Sequence, residues 1–211
     1  MPKIYDVTVP THPGIPVWPG GPSFSSTNTD RIADGAVCNV TDIEMCVHTG
    51  THIDAPLHFS DGGRSVDQIG MEQLVGACVV VDLRGRREIT ETDLEELQLP
   101  DETRKLILKT DNSQLWENPS HPFFEDYCAL TPGAARRVAD SNIHLLGIDY
   151  LSVSLYKDPP EIVHRILCDA DMVLIEGLNL TEIEPGGYRV TCLPFNVVGS
   201  DGAPARVILE G

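Results

Sequence analysis

Three of the seven histidines in this 211-residue chain, His48, His52 and His58, fall within eleven residues and enclose Asp54, in the segment HTGTHIDAPLH. Divalent transition metals take imidazole nitrogens and carboxylate oxygens at about 2.0–2.2 Å, so His48, His52 and Asp54 make up three ligands from one stretch of backbone. One or two more ligands must then come from elsewhere in the chain. A metal with open positions brings the pKa of bound water towards about 7, which makes hydrolysis feasible near neutral pH. Such a reaction also needs a group that removes a proton from water and returns it to a leaving nitrogen or oxygen. An imidazole does both near its own pKa, and His58, set apart by residues 55–57, is the candidate acid–base group. The competing reading is a polar loop with surface or capping histidines.

The surroundings of these residues constrain how they are presented. Gly50, its flanking threonines and Pro56 are poor helix material, so residues 48–58 are expected to form an irregular loop in which Gly50 allows a tight turn. Positions 48, 52, 54 and 58 share parity and would face one side wherever the chain is extended. Upstream, residues 36–47 alternate loosely and predict a strand that delivers the chain to His48. Residues 13–22 form a stiff proline- and glycine-rich loop carrying Trp18.

Further strands are predicted near the N-terminus (residues 3–9) and over 77–83, 104–110, 144–149, 172–176, 188–194 and 205–209. Short helices are predicted within 65–74, over 90–97 with a capping pattern at its start, from 131 with proline at the first helical position, and over 160–167. Asp149 and Glu176 end two of the strands, a place from which acids often face a site. Asp149 either orients a ligand or caps a following turn. His12, His121 and His144 lack acidic or histidine neighbours and are read as structural. With no repeat, low-complexity tract or dividing linker, residues 1–211 are read as one domain.

Composition removes several function classes. A formal charge of −17, from 15 basic against 32 acidic residues, argues against a nucleic-acid partner. No stretch approaches about 18 consecutive apolar residues, and no basic segment followed by an apolar one opens the chain, so a soluble, cytoplasmic protein with no membrane partner is expected. The six cysteines sit mostly among apolar neighbours without Cys-x-x-Cys spacing, which suggests buried thiols rather than disulfides or a zinc knuckle.

At this point the segment 48–58 resembles the signature of the cyclase family of metal hydrolases, which includes bacterial kynurenine formamidases and isatin-hydrolase-like enzymes. Trp18 in PVWPG, the GID stretch ending at Asp149, and the pair His164 and Glu176 lie where that family has related features. The resemblance implies an α/β fold, a mixed-sheet domain of the swivelling β/β/α kind, assembled as a homodimer or larger homo-oligomer. It implies that His48, His52 and Asp54 bind one metal and that Asp54 and Glu176 bridge to a second held also by His164. His58 would be the acid–base residue and Trp18 a substrate-side wall. The implied cofactor is one or two divalent ions, zinc first and manganese as the alternative.

The chain departs from the formamidase pattern at Arg165, at Ser154, in residues 109–113 and in an aromatic-containing insert over 116–127. All of these are expected around the substrate pocket rather than on the ligands. The leading function is therefore hydrolysis of an arylformamide such as N-formylkynurenine. A cyclic amide, imide or lactone is the alternative substrate class, and a non-catalytic metal-binding domain is the alternative of another kind.

Overall fold

The computed structural model describes residues 2–118 and 120–211. Met1, at the head of the chain, and Pro119, inside the 116–127 insert, lie outside them. The strands are β1 (Ile4–Asp6), β2 (Ser25–Asp30), β3 (Val40–Glu44), β4 (His52–Asp54), β5 (Val75–Asp82), β6 (Lys105–Lys109), β7 (Leu145–Ile148), β8 (Val173–Glu176), β9 (Gly186–Pro194) and β10 (Gly202–Glu210). The α-helices are α1 (Met71–Leu74), α2 (Glu91–Glu95), α3 (Pro132–Ala139) and α4 (Pro160–Asp169).

Eight strands form one mixed sheet in the order β1-β10-β4-β8-β7-β6-β5-β9, and β9 also pairs with β10. That last pairing closes seven strands into a barrel-like ring, with β1 attached outside it on β10. Strands β5 to β8 run parallel through the connections that carry α2, α3 and α4, whereas β4, β9 and β10 are antiparallel to their neighbours. This is the mixed α/β architecture expected from the sequence.

Strand alternation sorts the apolar residues into two cores. Ile53, Val80, Ile107, Leu145, Val173, Ile175, Val190, Cys192, Val207 and Leu209 belong to one cluster to which every strand of the ring contributes, so they fill its interior. Leu106, Leu108, Leu146, Ile148 and Leu174 face outwards, where Leu94 of α2, Ala134, Ala135 and Val138 of α3, and Val163 and Leu167 of α4 cover them. Lys105 and Lys109, in phase with inward Ile107, are buried and donate their ammonium hydrogens to the carbonyls of Glu72 and of Ile183.

Local chemistry accounts for the helix starts. Thr90 and Asp93 form a reciprocal capping box at α2, and the Thr131 hydroxyl accepts from the Ala134 amide ahead of Pro132. Asp149, fully buried, accepts from the amides and hydroxyls of both Thr110 and Ser113, so it caps the turn after β6 rather than orienting a ligand.

Two local expectations are corrected. The strand predicted over 36–47 shortens to β3, which pairs only with β2 in an exposed two-stranded ribbon apart from the main sheet. Within the segment expected to be an irregular loop, residues 52–54 are instead a strand, because β8 and β10 satisfy its backbone from both sides. The cysteines also divide: 78, 128, 168 and 192 are buried, Cys46 is half-buried and Cys38 is exposed, all as free thiols.

The turn that leads into β4 packs against the residue that follows β8. Gly177, at φ +71°, lies so close to Gly50 that a Cβ on it would sit 2.3 Å from the Gly50 carbonyl oxygen. Its own carbonyl accepts from the Thr51 hydroxyl at 2.6 Å. Gly177→Ala is expected to destabilise the fold by about 2 kcal/mol or more, since it meets immobile backbone in a left-handed conformation. A shift of the urea midpoint at unchanged slope checks this, and a midpoint equal to that of the unaltered protein would refute it.

Candidate metal centre

Four backbone elements bring the site together. In register, His52 lies directly opposite Glu176 on β8, while Asp54 lies opposite Gly202 on β10. Ile53 points into the barrel, so His52 and Asp54 emerge on the outer face, as does Glu176, which follows inward Ile175. His164, on α4, is buried over that face, and residues 56–58, a single 3₁₀ turn led by Pro56, place His58 beside it. Shared orientation along 48–58 thus comes from a strand flanked by two turns, not from one extended run.

His52 Nε2 is 3.4 Å from both Asp54 Oδ1 and Glu176 Oε2, and His164 Nε2 is 3.5 Å from Glu176 Oε1 and 3.9 Å from Asp54 Oδ2. His48 Nδ1 stands 2.7 Å from Asp54 Oδ1. The donor atoms of His52, Asp54 and Glu176 all lie within 4.8 Å of one another, as do those of His48, Asp54 and His58, so Asp54 is common to both groups. A further carboxylate, Asp201, accepts from His48 Nε2 at 2.9 Å and from His58 Nδ1 at 3.1 Å. Glu176 Oε1 also accepts from the Val153 amide.

These contacts fit a cation. The His52 ring places Nδ1 at 2.9 Å from the Gly50 carbonyl, which only a ring N–H can satisfy, so Nε2 is left to face two carboxylates. Asp54 Oδ2 is wholly buried and finds no hydrogen-bond partner among the described residues. Acceptors converging on acceptors are held together either by protons or by a metal ion, and nitrogen–oxygen donors of this kind suit a divalent one.

Protonation shows the same strain. Burial alone would push His52 down, but Asp54 and Glu176 outweigh it and raise the imidazole to about 10. His48 is likewise raised, burial being overcome by Asp54. Asp54 is held well below the usual carboxylate range, since His48 and His52 outweigh its burial, and Glu176 is lowered by His164 and His52 against burial and the nearby Asp54 charge. His58 moves the other way. Burial lowers it, and His48 and His164 add to that against the pull of Asp54, so it is a neutral imidazole at pH 7.

The candidate ligands, the acid–base candidate and Trp18 all line one cavity of about 290 Å³: Trp18, His48, His52, Asp54, His58, His164 and Glu176, together with Phe59, Leu151, Ser152 and Cys46. Trp18 meets Phe123 and Tyr156 edge-on at 5.3 and 5.6 Å, which ties the proline-rich loop to the 116–127 insert. His12, His121 and His144 do not line it.

The departures from the formamidase pattern were expected around the pocket, but none of their described residues lines it, and the insert reaches it through Phe123 against Trp18. Arg165 is exposed, and Lys109 is spent on backbone carbonyls. Ser154 is buried and makes no cavity wall, although its neighbour Ser152 does. Asp201 was not anticipated. It lies in the turn-rich stretch before β10, more than 140 residues from the histidines it touches, and the local pattern there signals only a turn.

The family model described as "Putative cyclase" matches residues 5–154. A kynurenine formamidase of Sphingopyxis alaskensis is 32% identical over 100% of this chain and 99% of its own length. Cyclase-like protein 1 of Arabidopsis thaliana is 33% identical, covering 98% of this chain and 84% of its own. Among solved structures, one described as a potential metal-dependent hydrolase with cyclase activity matches with a TM-score of 0.85 at 35% identity, over 100% of this chain and 98% of that one. Isatin hydrolase A from Labrenzia aggregata shares the fold, with a TM-score of 0.82 at 24% identity over 99% and 93% of the two chains.

Because His52 rises from 6.5 to about 10, its charged form contributes stability to the metal-free protein that is complete below pH 6.5 and lost as pH climbs through about 10. Thermal melts in chelator should therefore decline across that range. Zinc uptake at pH 8 should expel about one proton or more per ion, read by calorimetry in buffers of different ionisation enthalpy. Binding without proton release would contradict the site.

Proposed function

The chain belongs to the cyclase family, and from that premise we propose that it is a metal-dependent amidohydrolase cleaving a small arylformamide such as N-formylkynurenine. The observation that carries the reading is a buried cluster of imidazoles and carboxylates opening onto a small cavity that also holds a neutral imidazole. His48, His52 and Asp54 would hold one ion, and Asp54, Glu176 and His164 a second. A divalent cation bound there supplies Lewis acidity, polarising a carbonyl and making water easier to deprotonate. Three imidazoles among these donors favour zinc, with manganese as the alternative.

The chain's own groups do the rest. His58, neutral at pH 7, takes the proton that water loses on attacking the carbonyl carbon and hands it to the departing amine nitrogen. The carbon–nitrogen bond breaks, and formate and the free arylamine leave. Trp18, Phe59 and Leu151 form the apolar side of the cavity and receive the aryl group. About 290 Å³ suits a single small aromatic substrate.

The setting follows from other features. Six unpaired cysteines support a reducing, cytoplasmic location. A homo-oligomer is supported by the β2–β3 ribbon, which leaves Ile32, Val37 and Ile43 facing solvent. Light scattering should give at least twice the chain mass, and a monomer at micromolar concentration would rule that assembly out.

Zinc-loaded protein should release formate from N-formylkynurenine, and His58→Ala should lower kcat by about 10²–10⁴-fold with metal content unchanged. Turnover of isatin or simple lactones without formate release would transfer the assignment to cyclic substrates. Stoichiometric metal with no turnover on any of these would leave a metal-binding domain that is not an enzyme.

A further inference from the structure

We propose that Asp201 is a positioning residue of this site, one of whose carboxylate oxygens holds the rings of His48 and His58 as a single oriented unit. The inference rests on the hydrolase reading for the role of His58, while the geometry is independent of it. Asp201 Oδ2 lies 2.9 Å from His48 Nε2 and 3.1 Å from His58 Nδ1. The two rings stack, with centroids 4.1 Å apart and planes at 28°, which is how one oxygen reaches both.

An ionised carboxylate has no hydrogen to give, so each of those ring nitrogens must carry one. Two consequences follow. With Nε2 committed to Asp201, His48 presents Nδ1 to Asp54 and the cluster, the nitrogen that would give up its hydrogen to a metal, in the arrangement of a carboxylate that orients a ligating histidine from behind. His58 keeps its hydrogen on Nδ1 and leaves Nε2 bare, ready to accept a proton from water.

The backbone delivers Asp201 to this spot. Its carbonyl accepts from the Ala55 amide at 2.9 Å, and its neighbour Gly202 is paired with Asp54. Gly202 also clears room for the imidazole, since a Cβ there would fall 2.5 Å from His48 Cε1. Asp67 secures the loop from the other side by accepting from the Gly199 amide at 2.8 Å. The Asp201 side chain is 45% exposed, so packing does not explain its placement.

Nitrogen-15 imidazole NMR on the zinc-loaded protein reads the tautomers directly and needs no variant. His58 should carry its hydrogen on Nδ1. In Asp201→Asn that signature should be lost, Zn²⁺ measured by chelator competition should bind about 10–100-fold more weakly, and kcat at saturating zinc should fall by a similar factor with KM little changed. Asp67→Ala, which removes the Gly199 contact but leaves the Ala55 and Gly202 pairings that place Asp201, should alter neither tautomer nor zinc affinity. The proposal is overturned if His58 carries its hydrogen on Nε2 in the unaltered protein. It also fails if Asp201→Asn matches the unaltered protein in tautomer and affinity, or if Asp67→Ala reproduces both losses. Absence of turnover on any formamide, with tautomer and zinc affinity responding as described, would count against the hydrolase reading alone and support the role of Asp201.

Discussion

Burying Asp54 and Glu176 side by side is the constraint on which this structure turns. Both are almost wholly removed from water, and two carboxylates in that position repel each other and forgo hydration. Only positive charge makes the arrangement tolerable. His52 and His48 supply it in the metal-free chain by holding protons, and a cation would supply it more compactly. The crowding that strains the cluster electrostatically is thus the same feature that suits it to a cation.

The sheet makes that crowding unavoidable. Because β4 is hydrogen-bonded between β8 and β10, His52 and Asp54 cannot be turned to the other face of the sheet without breaking pairing on both sides. Helix α4 then closes the outer face, burying His164 against the same atoms. His58 escapes the rule. It stands at the end of a single 3₁₀ turn, next to the acids but not between them, and stays uncharged where its neighbours hold protons.

Much of this could be read from the chain. Parallel strands over residues such as 105–109 and 145–148 announce themselves as short apolar runs, and Thr131 with Pro132 marks a helix start through local chemistry alone. The 48–58 cluster was legible because four metal-competent side chains crowd into eleven positions. His164 came into view only through family resemblance, whereas Glu176 was also marked by its place at the end of an apolar strand. Strand β2 was missed because its residues, SSTNTD, are polar and carry no alternation, whereas β3 falls within the strand expected over 36–47. Asp201 was missed because its role depends on the pairing of β10 with β4, a non-local fact that no window of sequence contains.

That pairing has a consequence for biosynthesis. The histidines at 48 and 52 are translated in the first quarter of the chain, but the strand that fixes their orientation is bracketed by residues 174–176 on one side and 202–204 on the other. A nascent chain that has not yet added β10 cannot complete the ring, and contacts spanning about 150 residues are among the slowest to form. Until β10 pairs with β4, the early histidines lack the geometry that groups them.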